Sequence, residues 1–419
     1  MSKIFAQKDK LRIAILHLAF VYSGGGERLV LEEAKGLRKR GHQVTIFAPI
    51  LDRERCFPDI IDHFDIRILL PNLLSFIPQW QAFQILLACV LVPLFAYRFK
   101  DFDVILAANQ PSPWLAWVIK KLYRVPCVAY LAQPTRFLYP RKIDKETGLI
   151  FAGGGNFAPA TFLMNLAKPL VNWADKVGIK GADLVLANGE YARGVLEKTY
   201  GIKAISCPAG AYPSDKPLNY TNRYRGTLKV GDEAVSKPFA LLTNRHFPQK
   251  KFEYAITTLP TVLKDKPDAS LVITGGEMDY THNLKKLVER LSLEDKVIFL
   301  GLVSEEDLEK LYSNAAVYVY TAPEEDFGMG VIEAMAHGTP VVAWNAAGPS
   351  KIIEDGKTGL LAEPYETADF ADKIVRMLTD KKFGEKVGRA AWGAVKQSFS
   401  YKNHIRILEA GFLDITRHG

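Results

Sequence analysis

The chain has 419 residues and a formal net charge of +8, with 48% hydrophobic and 24% charged residues. This composition excludes a disordered, collagen-like or coiled-coil architecture, and the length predicts at least two domains. Four widely separated cysteines form no CxxC pair, which argues against a disulfide scaffold or a structural zinc site and favours a cytoplasmic protein.

Short apolar runs alternate with amphipathic sequence along the first half of the chain. Such runs are typical of parallel strands that are covered on both faces. Between the first two runs, residues 27–40 carry apolar side chains at helical spacing, and Gly41 follows as a stop signal. This alternation predicts a doubly wound α/β sheet. The predicted strands are residues 12–18, 44–48, 66–70, 104–108, 127–131 and 184–187.

The first half is also basic and contains the longest apolar run. Residues 1–210 hold 27 Lys and Arg against 17 Asp and Glu, a net charge of +10, whereas residues 211–419 hold 27 against 29. The apolar run at residues 85–97 is shorter than the roughly 20 residues that a membrane-spanning helix needs. We interpret it as a helix buried against the sheet. A shallow contact of an apolar and basic surface with a membrane is the alternative.

Two segments interrupt the rhythm of strands and helices. The glycine-rich residues 139–161 predict a long loop, and the polar residues 207–237 predict the interdomain linker with a polar excursion. A second strand–helix series follows, and residues 368–419 are predicted to be helical. The sequence therefore predicts two α/β domains that face each other across a cleft. The strands predicted in the second series are residues 239–243, 270–274, 297–300, 317–320, 340–343 and 359–361.

Residues 23–28 read Ser-Gly-Gly-Gly-Glu-Arg and lie between a predicted strand and a predicted helix. Glycines at such a junction let backbone N–H groups approach a phosphate, whose charge the helix N-terminus favours. The pattern departs from the dinucleotide GxGxxG fingerprint, because Leu29 stands where the third glycine belongs and no acidic residue ends the second strand. A nicotinamide-dependent enzyme is therefore disfavoured, and a tight turn between strand and helix is the alternative.

Two cations, Arg245 and Lys250, follow the first strand of the second series. Such a pair on one loop can clamp a diphosphate without a metal ion, and solvated surface charge is the alternative. The eight histidines are scattered and none forms an HxxxH pair, so no metal site is predicted.

The most specific stretch runs from Glu325 to Glu333, two carboxylates that flank the seven residues Asp-Phe-Gly-Met-Gly-Val-Ile. It follows a predicted strand and opens a predicted helix, with Glu333 about two turns into that helix. A carboxylate there can accept two hydrogen bonds from a ribose diol, while Gly328 and Gly330 let a hydroxylated ring approach the backbone. A capped surface helix with solvated acids is the alternative.

These motifs, together with Gly-Thr-Pro-Val-Val-Ala at residues 338–343, occur in the order found in the retaining glycosyltransferases of family four. The chain resembles that family over nearly its whole length. The resemblance implies the GT-B fold, with two Rossmann-like domains facing across a cleft. The implied parts are an acceptor-binding domain at residues 1–210, a nucleotide-sugar-binding domain at 211–395 and a helix at 396–419 that packs back on the first domain.

The resemblance also assigns roles to the site residues. Arg245 and Lys250 hold the donor diphosphate and stabilise it as it leaves, and Glu325 completes this catalytic set by holding the donor sugar. Glu333 holds the nucleotide ribose, and the glycines of the first domain approach the phosphates. The implied donor-binding residues are Gly25, Gly26, Asn244, Gly275, Phe327, Gly328, Met329, Gly330, Val331 and Glu333.

The Gly-Gly-x-Glu-Arg opening and residues 130–139 resemble one branch of this family, the mannosyltransferases that act on lipid-linked oligosaccharides and bacterial surface polysaccharides. This implies GDP-mannose as donor, with a UDP-sugar left open. It also implies a lipid-linked or glycan acceptor, reached at the cytoplasmic face of a membrane through the N-terminal domain, and no nucleic acid. Ala132 stands where the branch usually has a histidine, and Lys351 where it has a glutamate. The implied acceptor-binding residues are Tyr130, Ala132, Gln133 and Arg136.

The expected reaction is transfer with retention at the anomeric carbon, without a metal or another cofactor. No side chain in these motifs offers a covalent nucleophile, so we favour front-face departure, in which the leaving diphosphate helps to deprotonate the acceptor. A nucleotide-sugar epimerase of the same fold and a non-catalytic sugar-binding protein are the alternatives. Asp101-Phe102-Asp103 matches the DxD motif of metal-dependent transferases of another fold, and we interpret it as a loop before the strand at 104–108.

Overall fold

The computed structural model describes residues 10–71, 80–148, 158–215 and 218–418, with their side chains except at 158–165 and 418. The chain forms two compact units. The first comprises Met1–Pro140, Leu149–Ala209 and Tyr401–Gly419, and the second comprises Arg141–Gly148 and Gly210–Ser400. Residues 141–148 were predicted to lie in the first domain. That prediction is wrong, because Arg141 and Ile143 form hydrogen bonds with Glu324 of the second unit.

Strands form at every apolar run that the sequence predicted, and most of these runs are buried on both faces, although the edge strands β3 and β12 are partly exposed. The short β7 and the hairpin of β8 and β9 were not predicted. The strands of the described residues are β1 Arg12–His17, β2 Gln43–Ala48, β3 Ile66–Ile68, β4 Val104–Ala108, β5 Cys127–Leu131, β6 Leu184–Ala187, β7 Ile205–Ser206, β8 Thr227–Val230, β9 Glu233–Ser236, β10 Phe239–Thr243, β11 Ser270–Thr274, β12 Val297–Gly301, β13 Val317–Tyr320, β14 Val341–Trp344 and β15 Leu360–Ala362.

Each unit is built around one parallel sheet of these described strands. The sheet of the first unit has the order β3-β2-β1-β4-β5-β6-β7, and that of the second has the order β12-β11-β10-β13-β14-β15. In each sheet the strands that come first in sequence, β1 to β3 and β10 to β12, extend to one edge, and the later strands continue on the other side of β1 or β10. This reversal of strand order is the Rossmann-like, doubly wound arrangement. The predicted fold class of each unit is therefore confirmed.

The helices connect successive strands and cover the faces of the sheets. The first, predicted at residues 27–40, begins two residues earlier at Gly25. The helices of the described residues are α1 Gly25–Lys39, α2 Trp80–Phe95, α3 Ser112–Tyr123, α4 Lys142–Thr147, α5 Ala158–Lys180, α6 Gly189–Tyr200, α7 Phe252–Asp265, α8 Asp279–Arg290, α9 Glu305–Asn314, α10 Met329–Ala336, α11 Pro349–Ile352, α12 Thr367–Thr379, α13 Lys381–Ser398 and α14 Tyr401–His418.

The last helix, α14, packs on α1 within the first unit. A Cβ added to Gly36 of α1 would lie 2.5 Å from the side chain of Ile405, so the helices are in close contact. His404 of α14 is fully buried, and its Nε2 lies 3.1 Å from Glu33 Oε1 of α1. Burial disfavours the charged imidazole, but Cys207 and Glu33 raise the pKa of His404 well above its ordinary value. A buried contact between two polar side chains therefore joins the two helices.

The polar segment at residues 207–237 is only partly a linker. It contains the β8–β9 hairpin and Arg223, whose side chain is 1% exposed inside the second unit. The guanidinium donates to the carbonyl of Ala315 at 2.6 Å and to that of His337 at 2.8 Å. These carbonyls end α9 and α10, so Arg223 caps two helices. Composition alone cannot show that an arginine finds buried partners, which is why the prediction failed here.

The glycine-rich segment at residues 139–161 is not one continuous loop. Residues 142–147 form α4, and α5 begins at Ala158. Residues 149–157, which include three of the four glycines that motivated the prediction, lie outside the described residues, and the fourth, Gly148, is the C-cap of α4.

The apolar run at residues 85–97 belongs to a longer element than the sequence predicted. Helix α2 begins at Trp80 and continues as a 3-10 turn to Phe99, 20 residues that are apolar enough, by length and composition only, to cross a membrane. Only a third of it is buried. Ala88, Val92 and Phe95 pack into the core of the first unit, while Leu86, Val90, Leu94 and Tyr97 are exposed. The prediction of a buried helix is therefore right for one face only.

Candidate functional site

The predicted motifs of the second unit meet where its strand order reverses. Strands β10 and β13 are neighbours in the sheet although β11 and β12 lie between them in sequence. In such sheets a crevice opens at the carboxyl ends of the two strands, and ligands bind there. The loop at residues 244–250 leaves β10 and the loop at residues 321–328 leaves β13. The topology therefore brings the two loops to one crevice.

Lys250 and Glu325 form an ion pair in this crevice. Lys250 ends a 3-10 turn, Pro248–Lys250, and its Nζ contacts Glu325 Oε2. Tyr320 donates a hydrogen bond of 2.8 Å to the same oxygen. Both side chains of the ion pair are about four-fifths buried, since 23% of Lys250 and 20% of Glu325 are exposed. The sequence predicted both residues for the site but not their pairing, nor the contact with Tyr320.

The electrostatic surroundings keep Glu325 ionised. Burial alone would raise its pKa, but Lys250 and the hydroxyl of Tyr320, with a smaller effect from Arg141, lower the pKa to about 2. At neutral pH the site therefore presents a carboxylate and an ammonium group in fixed positions. The second predicted cation, Arg245, lies on the same loop with its guanidinium 5.1 Å from the ring centre of Phe247.

Two glycines allow the backbone to take the form that the crevice requires. Gly328 has φ +108°, which ends the extended loop and starts α10 at Met329. Glu333 thus lies little more than one turn into α10, and the prediction of about two turns is wrong. Gly275, at φ +138°, passes so close to Asn244 that an added Cβ would lie 1.7 Å from its carbonyl oxygen.

Burial separates the predicted donor-binding residues into two groups. Phe327 and Val331 are 5% and 0% exposed, so their side chains belong to the core and only their backbone can face a ligand. Met329, Gly330 and Glu333 are partly exposed at the start of α10. The structure therefore leaves this helix start, rather than the apolar side chains, available for binding.

A chain of hydroxyl groups holds the carboxylate of Glu333. Tyr312 donates to Glu333 Oε2 at 2.9 Å, and its oxygen also lies 2.9 Å from Thr243 Oγ1. Tyr318 reaches the same Thr243 oxygen at 3.0 Å. Sequence reasoning missed these tyrosines. Tyr318 and Tyr320 alternate along a predicted strand, a pattern that could have signalled hydroxyl groups on one face of the sheet.

The glycine motif of the first unit lies at the start of α1. Gly25 and Gly26 are exposed in the first turn, and a Cβ added to Gly26 would meet no atom within 4 Å. The N-cap residue Gly24 has extended backbone, and no side chain caps the helix. The first turn of α1 is therefore open to a ligand, as a phosphate-binding helix start requires.

The predicted acceptor residues lie at the carboxyl end of β5 and directly after it in the first unit, and one of them is a core residue. Tyr130 is 1% exposed and donates to the carbonyl of Cys207 at 3.1 Å, so its side chain is not available to an acceptor. The backbone N–H of Ala132 donates to Asn109 Oδ1 at 2.9 Å. Gln133 Oε1 accepts a hydrogen bond of 2.9 Å from Arg136. Asn109, which fixes Ala132, was missed by the sequence.

The Asp101-Phe102-Asp103 stretch is a structural loop, as predicted. Asp103 accepts from the backbone N–H of Arg12 at 2.7 Å and pairs with its guanidinium at 3.0 Å, at the amino end of β4. This is the sheet edge opposite to the carboxyl ends where ligands bind. Among the side chains that the structure describes, no group of three or more His, Cys, Asp or Glu is arranged to hold a metal ion.

Comparison with known families and proteins gives consistent matches along the chain. The family model described as Glycosyltransferase Family 4 matches residues 23–207, and that described as Glycosyl transferases group 1 matches residues 228–392. The alpha-1,3/1,6-mannosyltransferase ALG2 of Homo sapiens is 26% identical over 397 residues, 90% of each chain. An uncharacterized glycosyltransferase of Methanocaldococcus jannaschii is 35% identical over 48% of this chain and 51% of its own.

Two solved structures share the fold over almost the full length. HepE of Anabaena, whose crystal structure holds UDP and glucose, superposes with a TM-score of 0.69 at 20% identity and covers 96% of this chain and 99% of its own. Sucrose-phosphate synthase of Thermosynechococcus elongatus superposes with a TM-score of 0.74 at 20% identity, and the match covers 98% of this chain and 100% of its own. Together with the two Rossmann-like sheets, these likenesses establish the GT-B fold.

Proposed function

The chain belongs to glycosyltransferase family 4, and from this premise we propose that it transfers mannose from GDP-mannose to a lipid-linked or glycan acceptor, with retention at the anomeric carbon. One observation carries the proposal. A buried Lys250–Glu325 pair, braced by Tyr320, lies beside the open start of α10 where the strand order reverses. A cation for a leaving diphosphate and a carboxylate for sugar hydroxyls are thus fixed side by side.

The proposed mechanism uses charges that are already in place before the donor binds. Lys250 and Arg245 stabilise the negative charge that grows on the departing diphosphate, and they need no reorganisation because Glu325 and Phe247 hold them. Glu325 stays ionised and accepts hydrogen bonds from the sugar, while Glu333 accepts from the ribose. The departing diphosphate then helps to remove the proton of the acceptor hydroxyl on the same face, which retains the configuration.

The choice of GDP-mannose is supported by relatives and has one rival. ALG2 proteins of several organisms, 25–26% identical over about nine-tenths of the chain, are mannosyltransferases. HepE, however, binds UDP, so a UDP-sugar is the second candidate donor. The carboxylate of Glu333 can hold the ribose of either nucleotide, which is why the site alone does not choose between them.

We expect the chain to release GDP from GDP-mannose and to do so faster when a lipid-linked saccharide acceptor is present. The measurement is nucleotide release from GDP-mannose and UDP-glucose, each with and without acceptor, alongside identification of the sugar product. If the acceptor stimulates release of UDP but not of GDP, the donor in this proposal is a UDP-sugar instead of GDP-mannose. A changed sugar without an acceptor product would favour an epimerase, and sugar-nucleotide binding without any turnover would favour a binding protein.

We also propose that the first unit attaches the enzyme to a membrane surface. Helices α2 and α5 both contact α3, where Trp114 donates to the Cys89 carbonyl at 3.0 Å and lies 5.4 Å from the Trp173 ring. Both helices expose large apolar side chains, and exposed basic residues accompany them on α3 and α5, which suits an interface rich in anionic lipid. The exposed apolar residues are Leu86, Val90, Leu94, Tyr97, Leu166, Leu170 and Trp173.

The full-length chain is expected to bind anionic vesicles at low salt and to lose binding as salt rises, because charges are screened beyond about 10 Å at 0.1 M. The double variant Leu94→Glu/Leu170→Glu should weaken binding at least about tenfold, because each leucine loses its apolar contact with lipid. Leu302→Glu, at a residue of the second unit that is 82% exposed, is the matched control. Equal binding by both variants in a sedimentation assay would rule out this surface.

A further inference from the structure

We propose that Arg141 is a positioning residue that holds the loop at residues 324–328 in the form in which Glu325 receives the donor sugar. The inference rests on the proposed function, because it deepens the role given there to Glu325. It starts from the short helix α4 and the residue before it, which belong to the second unit although the flanking sequence belongs to the first. No pattern in the sequence marked this segment as part of the donor site.

Hydrogen bonds join the start of α4 to the residues on either side of Glu325. Arg141 Nη1 donates to the carbonyl of Glu324 and lies 3.5 Å from Asp326 Oδ2. The backbone N–H of Ile143 donates to Glu324 Oε2 at 3.0 Å. Glu325 is therefore held through both of its neighbours in the chain.

The guanidinium of Arg141 is itself fixed by its own helix. Asp144 accepts from Nη2 at 2.8 Å and from Nε at 3.0 Å, and its side chain is only 3% exposed. A planar guanidinium bound along one edge by a carboxylate has its remaining N–H groups aimed in a set direction. Here that direction is the loop at 324–328, so the donor loop is held by a preorganised group.

The charges around this contact require a cation at the position of Arg141. Three acidic residues, Glu324, Glu325 and Asp326, follow one another in the loop, and Asp144 lies beside them. Lys250 balances Glu325 from one side, and Arg141 lies near Asp326 and adds to the lowering of the Glu325 pKa. Removal of Arg141 leaves these carboxylates close together with one cation fewer. Their mutual repulsion is then expected to displace the loop at residues 324–328 from α4.

On the other side, the loop is held by a backbone contact that a change at Arg141 leaves in place. The N–H of Gly348 donates to the carbonyl of Glu325 at 2.7 Å. Loss of Arg141 should therefore shift the carboxylate of Glu325 without unfolding the second unit. Because nucleotide contacts are assigned to Glu333 and to the loop after β10, such a shift should affect the sugar and spare the nucleotide.

The test compares Arg141→Gln and Arg141→Lys with Arg389→Gln, which breaks an exposed ion pair with Glu385 in the same unit. Arg141→Gln should lower kcat about 10- to 100-fold, the loss expected when a reacting group is misplaced by about 1 Å. Its affinity for GDP and UDP alone should be unchanged. Its affinity for GDP-mannose relative to GDP, or for UDP-glucose relative to UDP, should fall. Arg141→Lys should recover part of the loss, and Arg389→Gln should match the wild type.

Amide hydrogen exchange of the free proteins supplies a readout that needs no substrate. In Arg141→Gln, exchange should become faster in residues 321–328 and stay unchanged in strand β10. Unchanged exchange in that loop would overturn the positioning role, whatever the donor or the reaction proves to be. Faster exchange throughout the second unit, with nucleotide affinity lost in parallel, would also overturn it by showing that Arg141 only supports folding.

Discussion

Replacement of Lys250 by alanine is expected to lower turnover by about two to three orders of magnitude, the usual cost of losing one fixed group that stabilises charge in the transition state. The ammonium group of Lys250 is mostly buried and already oriented by Glu325, so its removal takes away a positive charge that is held in place before the donor binds. Arg245→Ala should have an effect of similar size. Lys250→Arg should retain part of the activity because it keeps the charge.

The neighbouring lysine provides a matched control for this prediction. Lys251 lies next in the chain, and its Nζ is 3.7 Å from Glu253, away from the Glu325 pair. Lys251→Ala should therefore leave kcat unchanged in the same assay of nucleotide release. If Lys250→Ala and Lys251→Ala behave alike, the leaving diphosphate is not held by Lys250.

Two further measurements examine how Lys250 acts. Addition of EDTA should leave turnover unchanged, since the two cations are proposed to take the place of a metal ion, and abolished activity would refute metal independence. In Lys250→Ala, the pKa of Glu325 should rise because its strongest lowering partner is gone. The acid limb of the pH–rate profile should then move to higher pH. An acid limb that does not move would show that Lys250 does not control the ionisation of Glu325.

The second large effect is expected at Ala132, where the resembling branch of the family usually has a histidine. Ala132→His should increase turnover, by about two to four orders of magnitude if proton transfer limits the rate and by less if the ring only positions a hydroxyl. The backbone of Ala132 is already held at the carboxyl end of β5 by its hydrogen bond to Asn109, so a histidine side chain would start from a fixed position. An imidazole can hold a sugar hydroxyl or polarise the acceptor, and a methyl group can do neither.

Gln133 is the residue that could already fill this role, and it serves as the comparison. Its Oε1 is engaged by Arg136 at 2.9 Å, so a turn toward the place of the missing histidine would break that bond. We therefore expect Gln133→Ala to be close to neutral. Faster transfer by Ala132→His together with a neutral Gln133→Ala would show that neither Ala132 nor Gln133 fills the role of the histidine in the wild-type chain. An inert Ala132→His with an inactive Gln133→Ala would show that Gln133 holds the role.

All strands of the two parallel sheets except β7, their order in the chain and the places of the motifs could be predicted from the sequence. Parallel strands that are covered on both faces are short apolar runs, and this pattern depends only on neighbours along the chain. Glycines that must approach a phosphate or take positive φ are likewise visible locally, as at Gly26 and Gly328. It was the resemblance of the motifs to family four that assigned Lys250, Glu325 and Glu333 to one donor site before any contact between them was known.

The partners within that site were decided only by the tertiary structure. The Lys250–Glu325 pair joins residues that are 75 positions apart, and it forms because β10 and β13 become neighbours where the strand order reverses. Hydrogen-bond partners across such distances leave no periodic trace in sequence. The same reason explains why Tyr312 was missed beside Glu333 and why the buried Arg223 was assigned to a linker.

The sequence by itself thus determined which segments form the two sheets, except for the two-residue strand β7, because hydrophobic periodicity is a property of adjacent residues. It did not determine which face of an apolar helix is covered, since that depends on what packs against it, and only a third of the helix at residues 80–99 is buried. Nor did it determine which unit residues 141–148 belong to. That choice follows from hydrogen bonds and charge at Glu324 and Asp326, which arise only when the second unit is folded.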